Sequence, residues 1–300
     1  MVDWKPIMGI FPPVNEQQWQ TSFNQYKEYP EYQKINQFEA MELYQYKRIF
    51  YWEYAHRIFG RIIGIIFIIP FFIFWRRGYI KRNLFQHLFF AILLLITQGL
   101  LGWFMVKSGL VDVPAVSHFR LAIHLVTAFG IMCYIYWLIL SFTEVETSTS
   151  KTINKLSQYL ILALFIQIIY GAFVAGLKAG YLLPVNGGIF GSVFGYSFRN
   201  SNDFNLLNNS FDIQAFHRLF AWVVFAITLI TFNKTRKTTL AKAGTLVLGL
   251  TITQIILGIS TLLLSVQIHT AITHQFIAII LLLSAVRLTY LSSEKSQLDA

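Results

Sequence analysis

The sequence is poor in charge and almost free of cysteine. Only 13% of its 300 residues are Asp, Glu, Lys or Arg, whereas 55% are hydrophobic, and the mean hydropathy is +0.54. This composition excludes an ordinary soluble domain of this length. The single cysteine, Cys133, excludes an internal disulfide framework and a cysteine-based metal site. The polar N-terminal region also lacks the features of a secretory signal or of an Arg- and Ser-rich transit peptide.

Long apolar stretches dominate the rest of the chain. A bilayer core about 30 Å thick requires roughly 20 predominantly apolar residues per helix. Seven segments meet this requirement, at about residues 57–75, 84–106, 119–142, 155–177, 213–232, 240–266 and 271–291. A helix satisfies its backbone hydrogen bonds internally, as lipid requires. The predicted fold class is therefore an all-α polytopic membrane protein.

Basic residues are concentrated in the links on one side of these spans. The links near residues 76–82 and 234–242 each carry four Lys or Arg residues, and the opposite links carry fewer. By the positive-inside rule the basic side is cytoplasmic, or faces the matrix in a mitochondrion. These flanks explain the net charge of +10, so nucleic-acid binding is not expected. The predicted location is a bacterial inner membrane, or the mitochondrial inner membrane in a eukaryote, with the 178–212 loop on the outer side.

The chain carries one helical unit twice. In each copy a His-Arg pair heads one span, a Gln-x-x-x-Gly element lies in the next, and a histidine lies in the third. These elements are His56-Arg57, Gln98 to Gly102 and His124, then His217-Arg218, Gln254 to Gly258 and His274. Both copies begin on the outer side, so the repeat is parallel and requires an even number of spans.

The fourth span, which carries Gln167 and Gly171, supplies the leading helix of the second copy. We therefore expect two parallel pseudo-repeated four-helix bundles, of which the first lacks its leading helix in this chain. The hypothesis is that an eighth span once preceded Met1, or still does in the native gene, since Trp4 to Pro13 looks like the loop that would follow it. The predicted divisions are an outer segment at 1–56, bundles at 57–142 and 143–292, and an inner tail at 293–300.

Four histidines lie in symmetric register near the outer ends of spans: His56, His124, His217 and His274. Two imidazoles on facing helices can bind haem iron axially. For any one membrane histidine, a hydrogen bond between helices is at least as good an explanation. The symmetric register of all four favours haem or another metal. The remaining histidines, His87, His118 and His269, are interpreted as structural.

Charged residues accompany these histidines: Arg57, Arg61, Arg120, Arg218 and Glu53. The arginines could pair with haem propionates, although interfacial anchoring at the lipid headgroups is an alternative, most evenly balanced for Arg120. Glu53 precedes His56 by three residues, so a helix extended outward would place both on one face. A carboxylate there could relay protons, whereas position alone favours a solvated interfacial acid.

Several motifs resemble those of the haem A synthase family, of the mitochondrial and proteobacterial type. They include Glu53-Tyr-Ala-His-Arg57, Gly99-Leu-Leu-Gly-Trp-Phe-Met-Val-Lys-Ser-Gly-Leu110, Phe216-His-Arg218 and His274-Gln275. The resemblance implies an eight-span fold of two four-helix bundles. It also implies an oxidoreductase that oxidises a ring methyl group of haem O to a formyl group, giving haem A for cytochrome c oxidase.

Roles for individual residues follow from the same resemblance. It implies that His217 and His274 hold a haem b cofactor, that His56 and His124 form the substrate haem pocket, and that Glu53 is catalytic. The partners it implies are haem O synthase (protohaem farnesyltransferase), cytochrome oxidase assembly factors and a membrane electron donor, and it leaves room for a homo-oligomer. Two other functions stay open on the residues alone: a di-haem b-type electron-transfer protein, and a transporter built from parallel repeats.

Overall fold

The computed structural model describes residues 11–109, 116–143, 147–182 and 204–294. All regular secondary structure in these ranges is helical. The elements are α1 (Glu16–Lys27), a π-helical turn (Tyr32–Asn36), α2 (Leu43–Arg76), α3 (Arg82–Gly109), α4 (His118–Phe142), α5 (Lys151–Gly176), a 3-10 turn (Ala179–Tyr181), α6 (Ser210–Thr235), α7 (Ala241–Leu263) and α8 (Ile268–Ser292). Helices α2 to α8 are long and apolar enough to cross a membrane. The prediction of an all-α protein with seven spans is confirmed.

Some sequence predictions concern residues outside the described ranges. They are the loop motif at Trp4 to Gly9, residues 183–203 of the outer loop predicted at 178–212, and residues 295–300 of the predicted inner tail.

Helix α2 begins at Leu43, 14 residues before the apolar stretch predicted for the first span. Its 34 residues extend about 51 Å, well beyond the lipid core of about 30 Å. A capping box starts the helix, since the Gln45 side chain accepts a 2.7 Å hydrogen bond from the backbone N–H of Glu42. Apolar content locates only the lipid-facing part of such a helix. Glu53 and His56 therefore lie on one continuous helix, as the sequence predicted, and the side of the membrane at which that helix begins stays a prediction.

A small aromatic core joins α1 to the outer end of α2. Its buried side chains are Trp19, Phe23, Tyr26, Tyr46 and Phe50. The Trp19 and Phe50 rings meet edge to face with their centroids 4.9 Å apart. Asn36 Nδ2 donates a 2.6 Å hydrogen bond to the Tyr26 hydroxyl, and burial, followed by the negative charge of Glu31, raises the pKa of that hydroxyl. This core fixes the outer end of α2.

Helices α5, α6, α7 and α8 pack as a closed ring, in which α5 and α7 each contact both α6 and α8. Leu160, Val247 and Leu281 are almost fully buried in its centre. Small polar side chains supplement this apolar packing, as is common between membrane helices. The Thr228 and Thr251 hydroxyls lie 3.3 Å apart between α6 and α7.

The chain forms two compact units, residues 1–124 and 125–300, and the division lies within α4. In the first unit Phe71 of α2 packs against Phe85 of α3, with ring centroids 5.4 Å apart. In the second unit, Asn154 of α5 donates a 2.8 Å hydrogen bond to the Thr289 carbonyl of α8. The fourfold division of the chain at residues 56, 142 and 292 rests on the repeat and stays a prediction.

Gly244 allows α7 to approach α6 closely. A methyl group added there would lie 1.9 Å from Oγ1 of Thr235, a fully buried residue. Gly244→Ala is expected to lower the free energy of unfolding by about 1–3 kcal/mol through overpacking, measured as a lower midpoint of thermal unfolding in detergent. Gly249→Ala on the same helix is the control, because a methyl group there meets open space. Equal midpoints for the two variants would contradict the close approach at Gly244.

Candidate functional site

His217 of α6 and His274 of α8 lie on opposite helices of the four-helix ring. Both residues are half-buried, and in both the ring Nδ1 atom is buried without a hydrogen-bond partner in the described part of the chain. The two rings are close enough to interact electrostatically. Unpartnered imidazole nitrogens on two facing helices are the donors that axial ligation of haem iron requires. The residues present therefore fit such a group.

His56 of α2 and His124 of α4 form a second pair, and they too are close enough to interact electrostatically. Their surroundings differ, since His124 is half-buried whereas His56 is the only exposed member of the four. Gln98 Nε2 lies 3.1 Å from His124 Nδ1 and donates a 2.9 Å hydrogen bond to the His124 carbonyl. Packing thus places His217 and His274 on opposite helices of the ring and His124 against Gln98 of α3, and the pairing of His56 with His124 stays a prediction.

Glu53 and Arg57, one turn apart on α2, form an ion pair in which Arg57 Nη2 donates to Glu53 Oε1. Both groups are largely shielded from solvent, with the Arg57 side chain 11% and the Glu53 side chain 29% exposed. The spacing of four residues is one at which helix side chains meet, yet the sequence interpretation assigned the two residues separate roles. The ion pair holds the carboxylate on the helical turn that carries His56.

The other predicted arginines occupy different environments. Arg61 Nη1 is buried and has no hydrogen-bond partner among the described residues. A buried guanidinium with an unused N–H suits an acidic group brought in by a ligand. The Arg120 guanidinium lies 5.2 Å from the centroid of the Phe104 ring on α3, a cation–π contact. Arg218 is half-buried beside His217.

The three histidines predicted to be structural differ from one another in burial. His118 is buried, with its ring centroid 4.1 Å from that of Phe119. His269 is exposed at the start of α8, and His87 is half-buried on α3. Within the described residues, no group of three or more His, Cys, Asp or Glu side chains could hold a metal ion.

Three glutamines contact the histidines, a role that sequence reasoning missed. They are Gln98 of α3, Gln167 of α5 and Gln254 of α7. Each precedes a glycine by four residues, and the sequence interpretation used this element only to align the repeats. The shared spacing of glutamine and glycine was visible in the sequence. The contact of each glutamine with the histidine of the next helix, however, depends on how the helices pack.

The fold and these side chains define a class of protein: a multi-pass helical membrane protein with two pairs of histidines and neighbouring arginines. Residues 1–286 match the COX15-CtaA family, described as cytochrome oxidase assembly protein, and the chain belongs to this family. The chain is 40% identical over 295 residues to the haem A synthase of Flavobacterium johnsoniae, covering 94% of this chain and 86% of that protein. It is 35% identical over 293 residues to the haem A synthase of Brucella anthropi, covering 95% and 82%. The family predicted from the motifs is confirmed.

The shielding of the Glu53–Arg57 ion pair predicts a strong energetic coupling. A double-mutant cycle with Glu53→Gln and Arg57→Gln is expected to give a coupling energy of about 1–3 kcal/mol, measured by unfolding in detergent. The matched control is the Glu16–Lys47 ion pair, whose N–O distance is 3.2 Å and whose Glu16 side chain is 67% exposed. Solvent screening should hold that coupling to about 0.2–1 kcal/mol. A weaker coupling for Glu53–Arg57 than for the control would show that the ion pair is not maintained.

Proposed function

We propose that this chain is a haem A synthase, an oxidoreductase that converts a ring methyl group of haem O to the formyl group of haem A for cytochrome c oxidase. The observation that carries the proposal is the 40% identity to a haem A synthase over 94% of this chain. The geometry supports it, because His217 and His274 lie on opposite helices of the ring and His124 lies against Gln98 of α3. Glu53 and His56, which the family resemblance makes catalytic, share one continuous helix.

The two histidine pairs are proposed to have different tasks. His217 and His274 hold a permanent haem b, whereas His56 and His124 receive the substrate haem. The difference in exposure supports this assignment. A resident cofactor is retained in a closed pocket, and His217 and His274 lie on opposite helices of a ring of four helices. A substrate has to enter and leave, and His56 is exposed.

Arginines near each pair are proposed to bind the haem propionates. Arg61 carries the strongest support, because its buried Nη1 atom has no hydrogen-bond partner among the described residues. A propionate would accept a charge-assisted hydrogen bond from it. Arg57 and Arg120 are assigned to the same substrate, and Arg218 to the haem b. Arg57 also keeps its ion pair with Glu53, so it would position both the carboxylate and the substrate.

Glu53 is proposed to move protons during the oxidation. When bound, the haem supplies the redox chemistry at the methyl group. Forming the formyl group breaks carbon–hydrogen bonds and adds an oxygen atom, which requires proton transfer beside the substrate, and a carboxylate there can take up or give a proton. Glu53 is suited to this role by its place one turn before His56. Arg57 holds the carboxylate Oε1 atom and thereby limits the rotation of the side chain.

The proposal also covers how the chain is arranged in the membrane. The two histidine pairs belong to two parallel pseudo-repeated helix bundles in a cell inner membrane, with the histidines near the outer face. This placement is supported by the order of elements, in which a Gln-x-x-x-Gly helix precedes a histidine helix in α3–α4, α5–α6 and α7–α8. The proposed partners are haem O synthase as the source of substrate, cytochrome oxidase assembly factors as recipients, and a membrane electron donor.

Haem analysis of membranes from cells supplied with haem O tests the proposal. The wild-type chain is expected to accumulate haem A. His56→Ala should abolish haem A but retain one tightly bound haem b, since that haem is held by the other pair. His217→Ala should lose the tightly bound haem b.

The exposed His269 at the start of α8 provides the control, and His269→Ala should match the wild type in both measurements. Unchanged haem O with the wild-type chain would contradict the synthase. Two equally stable haems, of which each histidine variant removes one, would instead favour a di-haem electron-transfer protein.

A further inference from the structure

Three of the four paired histidines rest against a glutamine and a glycine on the preceding helix. Each Gln–Gly pair is separated by four residues, so its two members lie on one face of the helix. The groups are Gln98 and Gly102 with His124, Gln167 and Gly171 with His217, and Gln254 and Gly258 with His274. The same contact therefore occurs between α3 and α4, between α5 and α6, and between α7 and α8.

The glycine of each pair leaves room for the edge of the imidazole ring. A methyl group at Gly102 or at Gly258 would lie 3.0 Å from Cε1 of the facing histidine, and one at Gly171 would lie 3.2 Å from the same ring atom. These distances are shorter than ordinary carbon–carbon contacts of about 3.5–4.0 Å. The edge of the ring thus lies directly against the helix at the glycine. Because Cε1 lies between the two nitrogens, this contact sets the depth and direction of both.

The glutamine of each pair reaches the same histidine. Gln98 Nε2 and Gln167 Nε2 donate to the backbone carbonyls of His124 and His217, at 2.9 and 2.8 Å. Gln254 Nε2 lies 3.3 Å from a ring nitrogen of His274. In all three glutamines the Oε1 atom is buried and has no hydrogen-bond partner among the described residues. A buried acceptor left in this state costs about 1–3 kcal/mol.

In the α7–α8 group the facing ring offers the missing donor, since Gln254 Nε2 lies 3.3 Å from His274 Nε2. A neutral imidazole that binds a metal through one nitrogen carries its proton on the other. With the oxygen and nitrogen of the Gln254 amide exchanged, Oε1 would accept a proton carried by His274 Nε2. His274 Nδ1, which is buried without a partner among the described residues, would stay available to a metal. Gln98 and Gln167 instead hold their histidines through the backbone carbonyl.

We propose that the Gln–Gly pairs are positioning elements for haem ligation, in which the glycine supports the imidazole and the glutamine holds the histidine, through the backbone carbonyl of His124 and His217 and through a ring N–H of His274. The inference rests on the proposed function, because it assumes that these histidines bind haem. It makes Gln167 and Gln254 determinants of how tightly haem b is held, and Gln254 also a determinant of its redox potential. Gln98 has the corresponding role toward His124 and the substrate haem.

The transfer of haem b from the purified protein to apomyoglobin tests the glutamines. Gln254→Leu removes the acceptor at similar size, and haem loss is expected to become about 10- to 100-fold faster. Gln254→Glu keeps an acceptor, so its rate should stay near that of the wild type. The haem midpoint potential gives a second readout. It should rise in the Leu variant, because the imidazole becomes a weaker donor, and fall in the Glu variant.

Matched controls separate positioning from general destabilisation. Gln158→Leu lies on α5, as Gln167→Leu does, but Gln158 is exposed and bonds only to Asn154 among the described residues. It should leave haem loss unchanged, whereas Gln167→Leu should accelerate it. Gly258→Ala should accelerate haem loss, and Gly249→Ala on the same helix should not, since its added methyl group meets open space.

The outcomes also distinguish this inference from the proposed function. If the wild-type chain binds haem b and forms haem A, but the Leu variants lose haem at the wild-type rate, the positioning role is wrong and the synthase stands. Leu and Glu variants that shift the potential in the same direction would overturn the role as well. A wild-type chain that holds no haem would overturn both.

Discussion

Lipid offers no hydrogen-bond partners, so every polar side chain within a span has to find one in the protein or in a ligand. Polar groups of the described spans can meet this constraint locally, as in the contact between Thr228 and Thr251. The Nδ1 atoms of His217 and His274 do not meet it among the described residues. Unpartnered buried polar atoms are uncommon in folded proteins. Here they occur on two facing helices, where a metal-bearing ligand would complete the site.

The two histidine pairs show how similar sequence elements produce different sites. In the second unit, four helices close a ring around Leu160 and Val247, and His217 and His274 lie half-buried on opposite helices of that ring. In the first unit His56 is exposed on a helix that begins before the apolar stretch. A closed pocket retains its ligand, whereas an open one exchanges it. This difference supports a resident haem in one unit and a substrate haem in the other.

Helix α2 connects an aromatic core to the Glu53 carboxylate without a break. Tyr46 and Phe50 are buried against α1, and Glu53 follows within one turn of Phe50. Tyr54 stacks on Phe50 with an interplanar angle of 15°. Because a helix is stiff over a few turns, anchoring its outer end also fixes the direction of Glu53 and Arg57. The polar N-terminal region thus contributes to the geometry of the site.

The sequence by itself determined the helical class, the seven spans, the four paired histidines and the family, because apolar length, residue spacing and motifs are local properties of the chain. Only the tertiary structure decided that α2 begins at Leu43, that Glu53 pairs with Arg57, and that glutamine and glycine support the histidines. Nearly uniform apolar helices do not encode how each is rotated toward its neighbours. That rotation selects which of the many side chains on a span meet, so the contacts of the site appear only once the helices are packed.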